Sequence, residues 1–145
     1  MFQGEIPSQL IVTLLGSASF GGVYKKNRFF FQPFHCNFMA LYIDGKSYPG
    51  KPLQPNFTDK YFVEAYRNLK ACTDHIDISF SEFKRGYTIF VFDIDDNIDF
   101  NTKNRGDCIL ELRFGSALSE NITLLLYGKF LKVLQVDESR RVYLQ

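Results

Sequence analysis

From Tyr87 to the C-terminus the apolar residues fall in short runs: YTIFVFDI (Tyr87 to Ile94), CILELRF (Cys108 to Phe114), ITLLLY (Ile122 to Tyr127), FLKVLQV (Phe130 to Val136) and Arg141 to Leu144. Polar or glycine-bearing turns separate them. Runs this short, β-branched and aromatic, are strands rather than helices, and a chain that spends its second half this way is building β-sheet. In the second run Cys108, Leu110, Leu112 and Phe114 alternate with Asp107, Glu111 and Arg113. That period of two predicts one face toward a core and one toward water or a partner. Sixteen Phe and eight Tyr, with no Trp, supply the bulky β-favouring side chains such a core needs.

The first half fits the same architecture. Gln9 to Leu15 (QLIVTLL), entered after Pro7 and left at Gly16, reads as a buried strand, and Gly16 to Pro33 reads as a loop crossing from one sheet to another. Phe34 to Asp44 is a further strand, with Phe34, Cys36, Phe38, Ala40 and Tyr42 predicted to share an apolar face before burial extends to both faces. Asp44-Gly45 supplies a type I′ turn, Lys46 to Tyr48 the returning arm, and Pro49, Pro52 and Pro55 an extended edge segment. Helical spacing runs over Thr58 to Ala71, with Thr58 expected as N-cap. Ser79 to Arg85 predicts a second, shorter helix with a Ser79/Glu82 capping box and a left-handed cap at Gly86. The expected fold is therefore all-β or mainly β: a single sandwich domain over residues 1–145, about eight strands, with one or two short helices in loops.

At 145 residues the chain is long enough to bury roughly 68–70% of its unfolded surface, so its stability needs no metal or disulfide. A net charge of +1 excludes the strongly basic balance of a domain devoted to nucleic-acid phosphates. No stretch approaches the ~20 apolar residues of a membrane span, and the N-terminus lacks the pattern of a signal peptide. The expected chain is intracellular when made and not secreted, and binds neither membrane nor specific nucleic acid. Cys36, Cys72 and Cys108 are an odd number without zinc-ligand spacing and read as reduced thiols.

Several constellations are candidates for chemistry. Asp93, Asp95, Asp96 and Asp99 superficially resemble a calcium loop, but position six of that register is Ile98 rather than Gly and position twelve is Asn104 rather than Glu. His35 and His75 lie apart, and a pairing such as Cys36 with His75 has no local signature for nucleophilic catalysis. Lys25, Lys26 and Arg28 beside Phe29 to Phe31 have the ingredients of single-strand binding, yet equally those of a solvated loop leading to buried aromatics. The sequence thus assigns no catalytic, cofactor-binding or metal-ligating residue. Apolar residues left over after the core is filled, for instance among Phe29 to Phe34 or Leu124 to Leu126, are the expected inter-subunit contacts.

Taken in order, a series of phrases resembles the C-terminal jelly roll of the double jelly-roll major capsid proteins of Polinton (Maverick) elements and adintovirus-type viruses. They are IPSQLIVTLL (Ile6 to Leu15), F-x-G-x-Y-x-K-N (Phe20 to Asn27), ALYIDGKSYPGKPLQPNF (Ala40 to Phe57) and AYRNL (Ala65 to Leu69). S-x-x-x-F-x-x-GYTIFVFDI (Ser79 to Ile94), RGDCILELRFGSAL (Arg105 to Leu118) and LLLYGKF leading to VDESRRVYL complete the series. The resemblance implies an eight-stranded jelly roll with a structural, non-enzymatic role in a virion. Its implied partners are copies of itself in a trimeric capsomer, a partner jelly-roll domain, and other capsid proteins. Nothing here corresponds to the family's first jelly roll; a fragment, a decayed element's surviving reading frame and a host gene made from one all fit that departure. The alternative is a repurposed β-sandwich that binds a protein or glycan, since jelly rolls host those functions too.

Overall fold

A computed structural model describes residues 2–73, 75–94, 105–130 and 134–144. Among them the strands are β1 (Phe2–Glu5), β2 (Gln9–Gly16), β3 (Cys36–Ile43), β4 (Lys46–Leu53), β5 (Ile89–Asp93), β6 (Arg105–Phe114), β7 (Ile122–Lys129), β8 (Leu134–Val136) and β9 (Val142–Leu144). Three helices, α1 (Ser17–Phe20), α2 (Val63–Cys72) and α3 (Phe80–Arg85), lie between them. The fold is mostly β. One antiparallel sheet has the order β1-β6-β3-β4, a second β5-β2-β7, and β8 pairs with β9 in a separate hairpin. Seven strands, not eight, form the two sheets among the described residues, and there are three helices rather than one or two.

One apolar cluster joins the two sheets: Leu10, Val12 and Leu14 of β2 and Phe90 and Phe92 of β5, together with Met39, Leu41 and Ile43 of β3 and Cys108 of β6. Phe57, Phe62 and Phe83 extend it in a stack whose ring centroids lie 4.9–6.3 Å apart. Phe90 meets Phe83 edge-on at 6.4 Å, the offset geometry that the aromatic quadrupole favours. Along β6 the predicted alternation holds: Cys108 is buried in the core and Leu110, Leu112 and Phe114 pack against it partly buried, while Ile109 and Arg113 are exposed.

Local chemistry explains the turns and corrects several expectations. Asp44 and Gly45 both take positive φ, 48° and 80°, as a type I′ turn requires, and the Asp44 carboxylate accepts the Asp107 N–H at 2.9 Å, tying that turn to β6. The apolar face predicted for β3 switches part-way. A register shift between Cys36 and Phe38 inserts a bulge, so the odd residues Met39, Leu41 and Ile43 take the core and Phe38 lies under Arg113, whose guanidinium carbon is 4.5 Å from its ring centroid. α2 begins at Val63 rather than Thr58, and Thr58 does not cap it. Instead the Asn56 side chain accepts the N–H groups of Thr58 and Asp59 in a local turn, and Lys60 takes φ 65°, which no helix interior allows. The Ser79/Glu82 capping box of α3 forms in full. Gly86 is extended, not left-handed; it is glycine because the Phe30 ring lies where a Cβ would stand, 2.7 Å away. β4 continues through Pro49 and Pro52 as an edge strand, and β1 is a strand that the sequence pattern does not predict.

Candidate functional site

Among the described residues, the structure places the side chains singled out in the sequence as follows. Cys36 is buried, and burial pushes its thiol up to about 11, so the nucleophilic thiolate is suppressed at neutral pH. Burial raises the Cys108 thiol as well. His35 sits exposed in a turn with φ 57°, His75 is exposed in the connection after α2, and Cys72 donates weakly to the Asp93 carboxylate with S···O 3.8 Å. Among the described residues no three His, Cys, Asp or Glu converge as metal ligands. Asp95, Asp96, Asp99 and Asn104 of the acidic run lie outside the described residues, as do Leu131 to Val133 of the predicted Phe130 to Val136 strand. No described helix is long and apolar enough to cross a membrane.

The basic and aromatic segment forms an exposed loop after α1. Phe29 is 71% exposed, so the predicted burial of the aromatic run applies only to its end, where Phe31 bridges to Tyr87 in parallel. Lys25 lies 5.9 Å from the Tyr24 ring centroid, and Lys25, Lys26 and Phe30 line a groove whose wall includes Glu120. That carboxylate lowers the groove's positive charge.

On the outer face of the four-stranded sheet, Glu111 accepts hydrogen bonds from Arg113 Nε at 2.8 Å and from the Tyr42 hydroxyl at 3.1 Å. The Arg113 hydrogen bond, foremost among the causes, holds the Glu111 carboxyl below its ordinary value.

Sheet edges show the sharpest asymmetry. β4 carries Lys46, Pro49, Lys51 and Pro52, the residues that discourage further strand pairing. β1 has only four residues, and β5 has five and packs against α2. β7 differs in every respect: ITLLLYGK has eight residues, no proline, and its single charge at the last position. All eight pair with β2 on one side.

Register fixes what the other side presents. The Ser17 N–H to Asn121 carbonyl bond, 2.9 Å, belongs to the same register as the β2–β7 ladder, in which odd-numbered residues of β7 exchange backbone bonds with β2. The N–H and C=O groups of Ile122, Leu124, Leu126 and Gly128 therefore point toward the open edge. Leu124 lies opposite core Leu14, and so on the core face, yet it is 37% exposed; on the other face Tyr127 is 65% exposed. Leu126 and Ile122 are only partly buried against the core. β6 is similarly half-closed, since β1 pairs with it only from Arg105 to Cys108. Leu124, among the inter-subunit candidates read from sequence, thus belongs to an apolar flank that the described residues leave uncovered.

Among known proteins, the chain is similar to an uncharacterized protein of Caenorhabditis elegans, 26% identical over 97% of this chain but 36% of that protein. It thus spans about a third of the length of that relative. No protein-family model and no solved structure matches.

Proposed function

We propose that this chain is a non-catalytic, capsid-type jelly roll that works by associating with other jelly rolls. The observation that carries the reading is the pairing pattern. In a jelly roll an antiparallel ribbon of eight strands is wrapped into two sheets, pairing first with eighth, second with seventh, third with sixth and fourth with fifth. Wrapping adds the pairs of eighth with third and seventh with fourth. With β1 to β7 taken as the second to eighth strands, all five pairings of the two sheets, β1–β6, β2–β5, β3–β4, β2–β7 and β3–β6, fall in that scheme. Only the first strand is lacking among the described residues, and its place is the open edge of β7. The ordered phrases that resemble those of Polinton-type capsid proteins support the virion role.

Absolute mass measured by light scattering after size separation, across a concentration range, tests this reading. Mass rising above 16.8 kDa with concentration, with trimers or shells visible by electron microscopy, is the expected result. A strictly monomeric 16.8 kDa species would overturn autonomous assembly and favour a repurposed binding module, with the exposed Tyr24, Phe29 and Phe30 loop as its first candidate surface.

A further inference from the structure

We propose that the loop from Phe20 to Gln32 is a binding site for single-stranded nucleic acid, with Lys25 and Lys26 on the phosphates and the Phe30 ring stacked on a base. The inference goes beyond the association reading and does not depend on it. Its first support is charge. No Asp or Glu lies between Glu5 and Asp44, while Lys25, Lys26 and Arg28 fall within four residues. All three are exposed, and among the described residues no carboxylate pairs with any of them. A chain of net charge +1 thus concentrates positive charge beside the Gly16 end of β2, where a polyanion is attracted.

The second support is the exposure of the rings. A loop that merely led into the core would bury its aromatics, yet Tyr24 is 86% exposed and Phe30 42%. Exposed rings beside unpaired cations suit a partner that presents anions and flat π faces together, as unstacked nucleotides do. A lipid surface instead takes up a continuous apolar face, which Lys25 to Arg28 interrupt between Tyr24 and Phe29, and α1 with four residues supplies none.

Charge and ring meet in one groove. Lys25, Lys26, Asn27, Phe30 and Gln32 line a hollow of about 310 Å³, within the range that holds a small ligand. Both ends of the loop are fixed before any ligand arrives. The Gly21 and Val23 N–H groups donate to the Ser17 and Ala18 carbonyls of α1 at 2.9 and 3.2 Å, and those of Phe31 and Gln32 donate to Gly86 and Leu14 at 2.8 and 3.0 Å. The Arg28 guanidinium lies against Gly22 where a Cβ would stand, and the Phe30 ring lies likewise against Gly86. A loop held this way loses little freedom on binding. Glu120 on the groove wall opposes a polyanion and limits its affinity.

Fluorescence anisotropy of a labelled single strand of about 12 thymidines tests the site. Wild type should bind the strand, lose affinity as salt rises from about 50 to 200 mM, and bind a duplex of equal length about five-fold more weakly, because paired bases hide their faces from the ring. Lys25→Gln combined with Lys26→Gln should weaken binding about ten-fold at the lower salt and reduce the salt slope by about 1.4, at about 0.7 per phosphate contact. Phe30→Leu, which keeps an apolar side chain against Gly86, should weaken binding about five-fold with the slope unchanged. Glu120→Gln should tighten it about two-fold. Circular dichroism checks that each variant folds, and Phe29→Ala, at a fully accessible ring position, replaces Phe30→Leu if that variant unfolds. No binding at the lower salt, or binding that none of these variants changes, would overturn the proposal. Vesicles of phosphatidylcholine and phosphatidylserine that take up the protein when the single strand does not would overturn it in favour of a membrane surface. A strict monomer that binds the strand as expected would support the site while the association reading fails.

Discussion

The edge strands β4 and β7 close opposite sheets of the same molecule and are built on contrary rules. β4 spends its eight residues on two prolines, two lysines and a glycine, so it offers a neighbouring chain few groups to pair with. β7 spends eight residues on a proline-free run whose one charge is its final lysine, and among the described residues its outward backbone groups are unpaired and Leu124 is 37% exposed. A sheet edge that is merely an end is usually protected, because an unprotected one invites aggregation. Among the described residues, β7 is the one of these two edges without such protection.

The largest test of this contrast compares a leucine on each side. Leu41, fully buried in β3, should cost about 2–5 kcal/mol when replaced by alanine, whereas Leu124→Ala should cost less than about 1 kcal/mol in urea unfolding at concentrations where the protein is monomeric. Equal costs would mean that the β7 flank is as closed as the β3 side. Reversed costs would break the comparison outright.

A second test uses Cys36 as a reporter of the closed side. Its folded-state value is about 11 against an ordinary 9.0, because burial favours the neutral thiol. A raised value means the unfolded chain loses its proton first, so this contribution is complete below pH 9.0 and declines as pH rises toward about 11. The loss should be on the order of 2–3 kcal/mol, read as the difference in pH dependence between wild type and Cys36→Ala. In alkylation at pH 8, Cys36 should react far more slowly than the part-exposed Cys72. Matching rates would show that the core around β3 is open to solvent.

The smallest effect is expected at the cap of α3. Ser79→Ala should cost about 1 kcal/mol in urea unfolding. Glu82 is held below its ordinary carboxyl value, first by the Ser79 hydroxyl and then by the Ser79 N–H. The cap's contribution is therefore present above the unfolded glutamate value near 4.5 and is lost as pH falls through the lower folded value. Glu82→Gln should flatten that acid limb of the unfolding curve, and an unchanged limb would remove the capping box from the account.

Much of this molecule is legible in its sequence, and the exceptions have physical reasons. β2, β5, β6 and β7 follow from apolar runs bounded by turn residues, Asp44-Gly45 from its need for two positive φ angles, and α3 from its capping box. β1 escapes because FQGE has no apolar alternation. The core face of β3 is misread because one bulge exchanges the roles of odd and even residues, and α2 starts late because a side-chain turn at Asn56 outcompetes helix at Thr58. The candidate site is visible in the sequence only as a set of surplus hydrophobes. Leu124, Leu125 and Leu126 look like core in any single sequence, and only the register with β2 separates the partly covered Leu126 from the exposed Leu124.

Residue-resolved amide exchange along β7, followed from dilute to concentrated protein, tests the central claim most directly. The N–H groups of Thr123, Leu125 and Tyr127, bonded to β2, should be protected at every concentration. Those of Ile122, Leu124, Leu126 and Gly128, which point away from β2, should exchange freely in a species shown to be monomeric. Protection of those four amides in that monomer would contradict the account.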